Sequence, residues 1–252
     1  MKLDVVLSPN LLPKRFEDTL CAVIDVLRAT TTVITALANG AREVRPCMDA
    51  AEARYEAESS NSGHYLLGGE EKGKRIPGFH LGNSPVEYLD SNIISDKIIY
   101  FATTNGTPAL RKVYTGSGNP VYIAALVNLS AVSSVLVKAI VSNSYRNLLL
   151  LCSGRYGGPS LEDLFCAGLV LQKVRHGLLQ TGISHKLSDG ALIALDFSEM
   201  NENKSFDVLT AGEHGQYLQH IGFAADLEFA SRIDTYQIVP IFDGVRIVKS
   251  QK

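Results

Sequence analysis

Three times along the chain a short apolar run leads into a polar turn and then into a stretch of helical period. That grammar leaves few folds open. Strands buried on both faces read as continuous apolar runs, and their alternation with helices is the pattern of a largely parallel sheet covered by helices. The first unit has a strand at 21–25, a turn, and a helix through Val33, Ile34, Leu37 and Ala38 ended by Asn39-Gly40. The second has a strand at 97–102, the turn Thr103-Thr104-Asn105-Gly106, and a helix from Thr107 or Pro108. The third has a strand at 148–152, a glycine-rich turn at 153–160, and a helix over 161–174. Between them the spacing predicts strands at 43–47, 64–67 and 121–124 and helices at 49–59 and 130–141. The end of the chain reads as helices near 191–197 and 206–221, then strands at 238–241 and 245–248 joined by the hairpin signal Asp243-Gly244.

The expectation is an α/β fold with a largely parallel or mixed sheet layered with helices and a ligand site at the strand carboxyl ends. A single compact unit over 1–252 is expected, with 142–147 as the place where two subdomains would part. The stretch 68–85 is too rich in Gly, Pro and charge for a regular element and reads as a long functional loop.

Charge and cysteine usage narrow the partners. The 24 basic and 26 acidic residues nearly cancel with no basic run, so the footprint of a nucleic-acid binder is missing. Cys21, Cys47, Cys152 and Cys166 form no CxxC pair, which argues against a zinc site or disulfide framework and for a reducing compartment. No run approaches the ~18 apolar residues of a spanning helix, so no membrane association is expected and the cytoplasm is the default location. Homo-oligomerisation stays open.

Each of the three turns carries groups suited to a small anion. The first offers Asp25, Arg28 and then Thr30, Thr31 and Thr32 at a helix start, where free N–H groups and the helix dipole favour phosphate or sulfonate. The same residues also fit an ordinary capped helix. The second offers Thr103, Thr104 and Asn105, which suit either ligand oxygens or a plain capped turn. The third brings Arg155, with Glu162 and Asp163 in the following helix, where Ser160 and Asp163 also spell a capping box. Glu70-Glu71 adds carboxylates in the glycine-rich loop. If Asp25, Glu70, Glu162 and Asp163 converge, they could hold Mg²⁺ through hard oxygen ligands. The six histidines show no metal-binding spacing and are expected to be structural.

Known phosphate-handling spellings are missing. There is no GxxxxGK[ST] loop, and Gly116-Ser117-Gly118 lacks the third glycine of a dinucleotide fingerprint. A cysteine-phosphatase loop beginning at Cys152 would need Arg where Gly158 stands, and an aspartyl-phosphate motif beginning at Asp25 would need Asp where Leu27 stands.

Taken together, Val23-Ile24-Asp25-Val26-Leu27-Arg28-Ala29-Thr30, the loop from Gly68-Gly69-Glu70 to Gly82-Asn83-Ser84-Pro85, Thr103-Thr104-Asn105-Gly106-Thr107, and Leu161-Glu162-Asp163 with Cys166-Ala167-Gly168 resemble the 2-phosphosulfolactate phosphatase family. The resemblance runs from Asp25 to Gly168 and includes Val239-Pro240, while 178–204 carries none of it. It implies Mg²⁺-dependent hydrolysis of 2-phospho-3-sulfolactate to 3-sulfolactate and phosphate by metal-activated water, a step in coenzyme M formation. On that basis Asp25, Glu70, Glu162 and Asp163 serve the metal or the attacking water, and Arg28 and Arg155 stabilise phosphoryl charge. Thr30, Thr31, Asn83, Thr103, Thr104 and Asn105 are expected to bind a substrate bearing phosphate, sulfonate and carboxylate. Two alternatives stand beside this: an Asp25 phosphoenzyme acting on another small phosphorylated acid, and a non-catalytic binding module for sulfonated or phosphorylated acids.

Overall fold

The computed structural model describes residues 1–60, 63–143 and 145–250. Its strands are β1 (Lys2–Val6), β2 (Thr19–Ile24), β3 (Glu43–Cys47), β4 (Tyr65–Glu71), β5 (Lys74–Arg75), β6 (Ile98–Ala102), β7 (Val121–Ala124), β8 (Asn147–Cys152), β9 (Lys186–Leu187), β10 (Pro240–Phe242) and β11 (Ile247–Lys249). Its helices are α1 (Ala29–Ala38), α2 (Ala50–Ser59), α3 (Ser91–Ile94), α4 (Gly106–Ser117), α5 (Leu129–Asn143), α6 (Leu161–Gln180), α7 (Asp189–Met200), α8 (Ser205–Ala211), α9 (Glu213–His220) and α10 (Ala224–Ala230). Among the described residues no helix is long and apolar enough to cross a membrane.

All the strands join one mixed, largely parallel sheet in the order β5-β4-β6-β3-β11-β10-β7-β2-β8-β1-β9. The fold is α/β, as the alternation of apolar runs and helical periods requires. β4, β6 and β3 are parallel to one another, and so are β7, β2, β8, β1 and β9. The β10–β11 hairpin joins the two sets through three antiparallel ladders, so along the sheet one set runs opposite to the other. Strand twist offsets this reversal. Six steps separate β4 from β2, and at roughly 20–25° per step they rotate the strands by about 120–150°. The carboxyl ends of both sets therefore face one region.

The coiled sheet encloses α1. Val33, Ile34 and Leu37 of α1 share one core with Val23, Ile123 and Leu149 from one set of strands and with Val44, Ile99 and Phe101 from the other. α1 is buried from Ala29 through Leu37, so it has no solvent face for polar residues. Its threonines are accommodated because each hydroxyl donates to a backbone carbonyl: Thr30 to Asp25, Thr31 to Val26, Thr32 to Asn83 and Thr35 to Thr31, at 2.8–2.9 Å. The helix ends where Gly40 takes a φ of +102°, with the Gly40 and Ala41 N–H groups donating to Leu37 and Ala36. α5, α6 and α7 cover the outer face of β2, β8 and β1. α2 covers β4 and β6.

Several boundaries depart from the sequence reading. β1 was not anticipated, although Leu3 and Val5 alternate with Lys2 and Asp4. The stretch 68–85 is not wholly a loop. β4 continues through Gly68-Gly69 to Glu71 and turns back to β5, because Glu70 and Glu71 pair with Arg75 and Lys74. A 3-10 turn at Pro85–Tyr88 follows. The helix expected at 206–221 is two helices, since Gly212 between them is extended (φ −67°, ψ 149°). α6 runs on to Gln180. Of the stretch 142–147, Ser144 lies outside the described residues.

Candidate active site

The carboxyl ends of β2, β4, β6 and β8 meet at one cavity, lined by Asp25, Arg28, Glu70, Lys72, Asn83, Thr103, Thr104, Asn105, Arg155, Tyr156, His214 and Tyr217, with Leu27 and Gly73. Most of the residues singled out from sequence are therefore brought together. Their roles separate once the hydrogen bonds are followed.

Asp25 forms the floor. It follows β2 directly and is buried. Its Oδ1 accepts the N–H of Ala29 at 3.1 Å, and its carbonyl accepts that of Thr30 at 3.0 Å. The first turn of α1 thus spends these two donors on Asp25, and the expected anion cradle at this helix start is not formed by them. Thr30 and Thr31 are likewise not cavity groups, because their hydroxyls point back to backbone carbonyls. Among the described residues Oδ2 of Asp25 has no protein donor, and it lies near Gly106, where an added Cβ would sit 2.9 Å from it.

Glu70 is the first residue to leave the buried part of β4, and strand alternation turns it toward the cavity while Glu71 faces solvent. Glu70 ties two segments together: Oε2 accepts the N–H of Gly73 at 2.7 Å and Oε1 that of Thr104 at 2.8 Å. Gly69 just before it has φ +137°, and a Cβ there would be 2.0 Å from the Ala102 carbonyl, so only glycine lets β4 approach β6 this closely. After β6, the Thr103 hydroxyl accepts the Thr107 N–H at 3.1 Å and opens α4. Among the described residues the N–H groups of Asn105 and Gly106 have no protein acceptor, so the α4 start is the helix terminus that presents donors to an anion.

The third turn is clamped by Asp163. Its Oδ1 accepts the N–H of Val26 at 2.8 Å and its Oδ2 that of Gly154 at 3.0 Å, locking the turns after β2 and β8 together. The capping box expected with Ser160 is not formed, since Ser160 makes no side-chain cap and its hydroxyl is buried without a partner. Glu162 is also buried. Its Oε1 lies 3.5 Å from His214 Nδ1, and among the described residues its Oε2 has no hydrogen-bond partner. Another unpartnered buried oxygen, Oδ1 of Asn83, belongs to the cavity wall.

The two arginines differ. Arg28 is buried, with Nη1 2.7 Å from Asp226 Oδ2, Nη2 donating to the Gly73 carbonyl at 2.6 Å, and its guanidinium 4.4 Å from the Phe223 ring centre. Arg28, expected to grip a phosphoryl group, lines the cavity with its guanidinium already bonded to Asp226 and Gly73. Arg155 makes no side-chain hydrogen bond among the described residues. It lies between the rings of Tyr156 and Tyr217, 5.0 Å from each centre.

His214, Tyr217 and Asp226 were not anticipated. The sequence reading treated His214 as structural, yet it lines the cavity beside Glu162. All three come from α9 and α10, which lack a recognisable motif. The Gly212 break is the local sign that this stretch does something other than continue a helix.

Electrostatics reflect the crowding of carboxylates. Asp25 is pushed up to about 6, first by burial and then by Glu70 and Glu162, with the Ala29 N–H and His214 pulling the other way. Asp163 is raised well above the carboxylate range by burial, Asp25 and Glu162. A divalent cation would offset this density of negative charge.

Comparison with known proteins bears on which chemistry this cavity serves. The sequence profile described as 2-phosphosulpholactate phosphatase matches residues 6–244. The chain belongs to the 2-phosphosulpholactate phosphatase family. It is 38% identical to a probable 2-phosphosulfolactate phosphatase of Symbiobacterium thermophilum, over 90% of this chain and 92% of the relative. It is 36% identical to a protein of the same description from Carboxydothermus hydrogenoformans, over 100% of this chain and 99% of the relative. A third, from Pseudothermotoga lettingae, is 36% identical over 91% and 92%.

For this member of the 2-phosphosulpholactate phosphatase family the carboxylates can be sorted by what they have left to offer a metal. Both oxygens of Glu70 and both of Asp163 already hold backbone N–H groups. No ready-made cluster of three or more metal-ligating side chains is found among the described residues. Among the described residues Glu162 Oε2 and Asn83 Oδ1 are buried hard oxygens without protein donors, and Asp25 uses Oδ1 for the Ala29 N–H; oxygens of this type are what Mg²⁺ takes while retaining several waters. Asp25 and Glu162 thus each keep one oxygen to offer a metal, whereas Glu70 and Asp163 tie the surrounding turns.

Proposed function

We propose that the protein is a phosphoric monoester hydrolase that converts 2-phospho-3-sulfolactate to 3-sulfolactate and phosphate with Mg²⁺. The observation that carries this reading is the meeting of Asp25, Asn105 and Arg155 at one cavity, with Glu162 behind its wall against His214, in a chain that covers its similarly described relatives almost end to end.

Asp25 and Glu162 would hold the cation, with Asn83 Oδ1 adjacent in the cavity wall. When bound, Mg²⁺ supplies Lewis acidity to the phosphoryl oxygens and screens their charge from the carboxylates. The N–H groups of Asn105 and Gly106 at the α4 start would donate to those oxygens. With Oδ1 held by the Ala29 N–H, Oδ2 of Asp25 is the atom that would meet the cation. Asp25 would act in this way and not as the nucleophile, so rapid-quench labelling with radioactive substrate should leave no acid-stable phosphate on the protein. His214 Nδ1 faces Glu162 Oε1 and would keep that carboxylate in place.

The deciding experiment is phosphate release from 2-phospho-3-sulfolactate with Mg²⁺ and with chelator. Release that requires Mg²⁺ is expected, with Asp25→Asn inactive while still binding substrate. No release from any phosphorylated hydroxy acid in the presence of Mg²⁺ would overturn the reading.

A further inference from the structure

The cavity has a graded interior. Its floor, at Asp25, Asn83 and Thr103, is buried, whereas Arg155, Lys72, Tyr156 and Tyr217 form a partly exposed rim. The phosphoryl chemistry assigned above belongs to the floor. A substrate carrying acid groups besides its phosphate must place them toward the rim.

At that rim Arg155 is held and left unsatisfied. The rings of Tyr156 and Tyr217 flank its guanidinium, and the Tyr217 hydroxyl is itself fixed by donating to the Lys72 carbonyl at 2.9 Å. The Tyr156 N–H donates to Asn105 Oδ1 at 3.4 Å, which registers this turn against the α4 start. Both ring centres lie 5.0 Å from the guanidinium, whose N–H edge makes no side-chain hydrogen bond among the described residues, so that edge remains to meet a carboxylate or sulfonate in a two-pronged way. Its nearest carboxylate, Glu213, is 4.0 Å away and almost fully exposed, so it is a weak partner that a ligand acid can displace. Arg28 offers no comparable edge, being bonded to Asp226 and Gly73.

We propose that Arg155 is the specificity-determining receptor for the non-transferred acid group, sulfonate or carboxylate, of a phosphorylated acid, with Tyr156 and Tyr217 as its clamp. This rests on the phosphatase reading. Arg155 then governs which phosphate esters are held, while the floor governs whether the ester bond breaks.

The test compares kcat/KM for 2-phospho-3-sulfolactate, 2-phospholactate, 2-sulfoethyl phosphate and isopropyl phosphate, the last having no second acid. Losing a charge-assisted two-pronged contact is worth about 100-fold, so Arg155→Met should lower kcat/KM by about that factor for the esters whose acid it reads, mainly through KM. Isopropyl phosphate should lose no more than about threefold. Arg155→Lys keeps charge without the fork and should fall between, whereas Glu213→Gln should lower KM for the acids. A large loss on 2-sulfoethyl phosphate identifies the acid read as sulfonate, and on 2-phospholactate as carboxylate. Equal losses on all four esters would overturn the proposal, because Arg155 would then serve the phosphoryl group or the fold. Equilibrium binding of 3-sulfolactate keeps the two readings separable. If the wild type releases no phosphate, the phosphatase reading falls, and a similar weakening of sulfolactate binding in Arg155→Met still supports the receptor; unchanged binding overturns it.

Discussion

The Arg28–Asp226 pair gives the sharpest energetic test of how this site is held. Both side chains are 2% exposed, the ion pair is 2.7 Å long, and the Ser84 hydroxyl donates to the other Asp226 oxygen at 2.5 Å. Asp226→Ala would leave a buried guanidinium with only the Gly73 carbonyl and the Phe223 ring to satisfy it. Breaking such a pair from one side costs about 3–5 kcal/mol, against a whole-domain stability of roughly 5–15 kcal/mol. Removing both charges avoids the uncompensated ion. Arg28→Met with Asp226→Leu sets a thioether against Phe223 and should recover at least about 2 kcal/mol relative to Asp226→Ala, though the Gly73 carbonyl and Ser84 hydroxyl lose partners. Equilibrium urea unfolding of the wild type, both singles and the double variant measures this, with the midpoint shifting at constant slope. A cost below about 1 kcal/mol for Asp226→Ala, or a double variant no more stable than that single, would refute the reasoning.

Further outcomes follow from other parts of the site. In the metal-free protein Asp25 is raised from 3.8 to about 6, so its burial favours the protonated form. Its contribution is fully present below the unfolded pKa and is lost as pH rises through 6. Asp25→Asn should therefore become more stable than wild type between pH 4 and 7, by on the order of 3 kcal/mol at the top of that range. Thermal melts in chelator across that range check it, and parallel curves would sink it. Gly106→Ala places a methyl 2.7 Å from the Ala29 Cβ and 2.9 Å from Asp25 Oδ2, so phosphate release should drop by at least roughly tenfold, with full activity disproving the contact. Glu70→Gln can accept only one of the two N–H groups that Glu70 now holds, and should cost about 1 kcal/mol and raise KM. Urea unfolding and steady-state kinetics would show whether that carboxylate is a tie or, if stability is unchanged while Mg²⁺ dependence shifts, a ligand.

What could be read from the sequence was whatever depends on neighbours along the chain. The apolar runs ending at Ile24, Ala102 and Cys152 announced strands, and the polar residues after them announced turns. Asp25, Asn105 and Arg155 do reach the common cavity. The direction of a side chain was less accessible when burial decided it. Thr30 and Thr31 look like ligand hydroxyls until α1 is seen to be enclosed, which forces each to donate inward. Asp163 looks like a cap for its own helix, but it reaches Val26, a residue 137 positions away. His214, Tyr217 and Asp226 could not be found by spacing, because only tertiary packing brings α9 to the cavity and α10 to Arg28.

The opposed run of the two strand sets has a consequence for how activity arises. Asp25 and Arg155 follow strands of one set, Glu70 lies in and Asn105 follows strands of the other, and the β10–β11 hairpin joins the two sets. Asp25, Glu162 and Arg155 lack Glu70 and the α4 donors until the second set is joined to the first. Regain of turnover after dilution from denaturant should lag the regain of helical signal and coincide with the last tertiary step, making catalysis itself a reporter of topological closure.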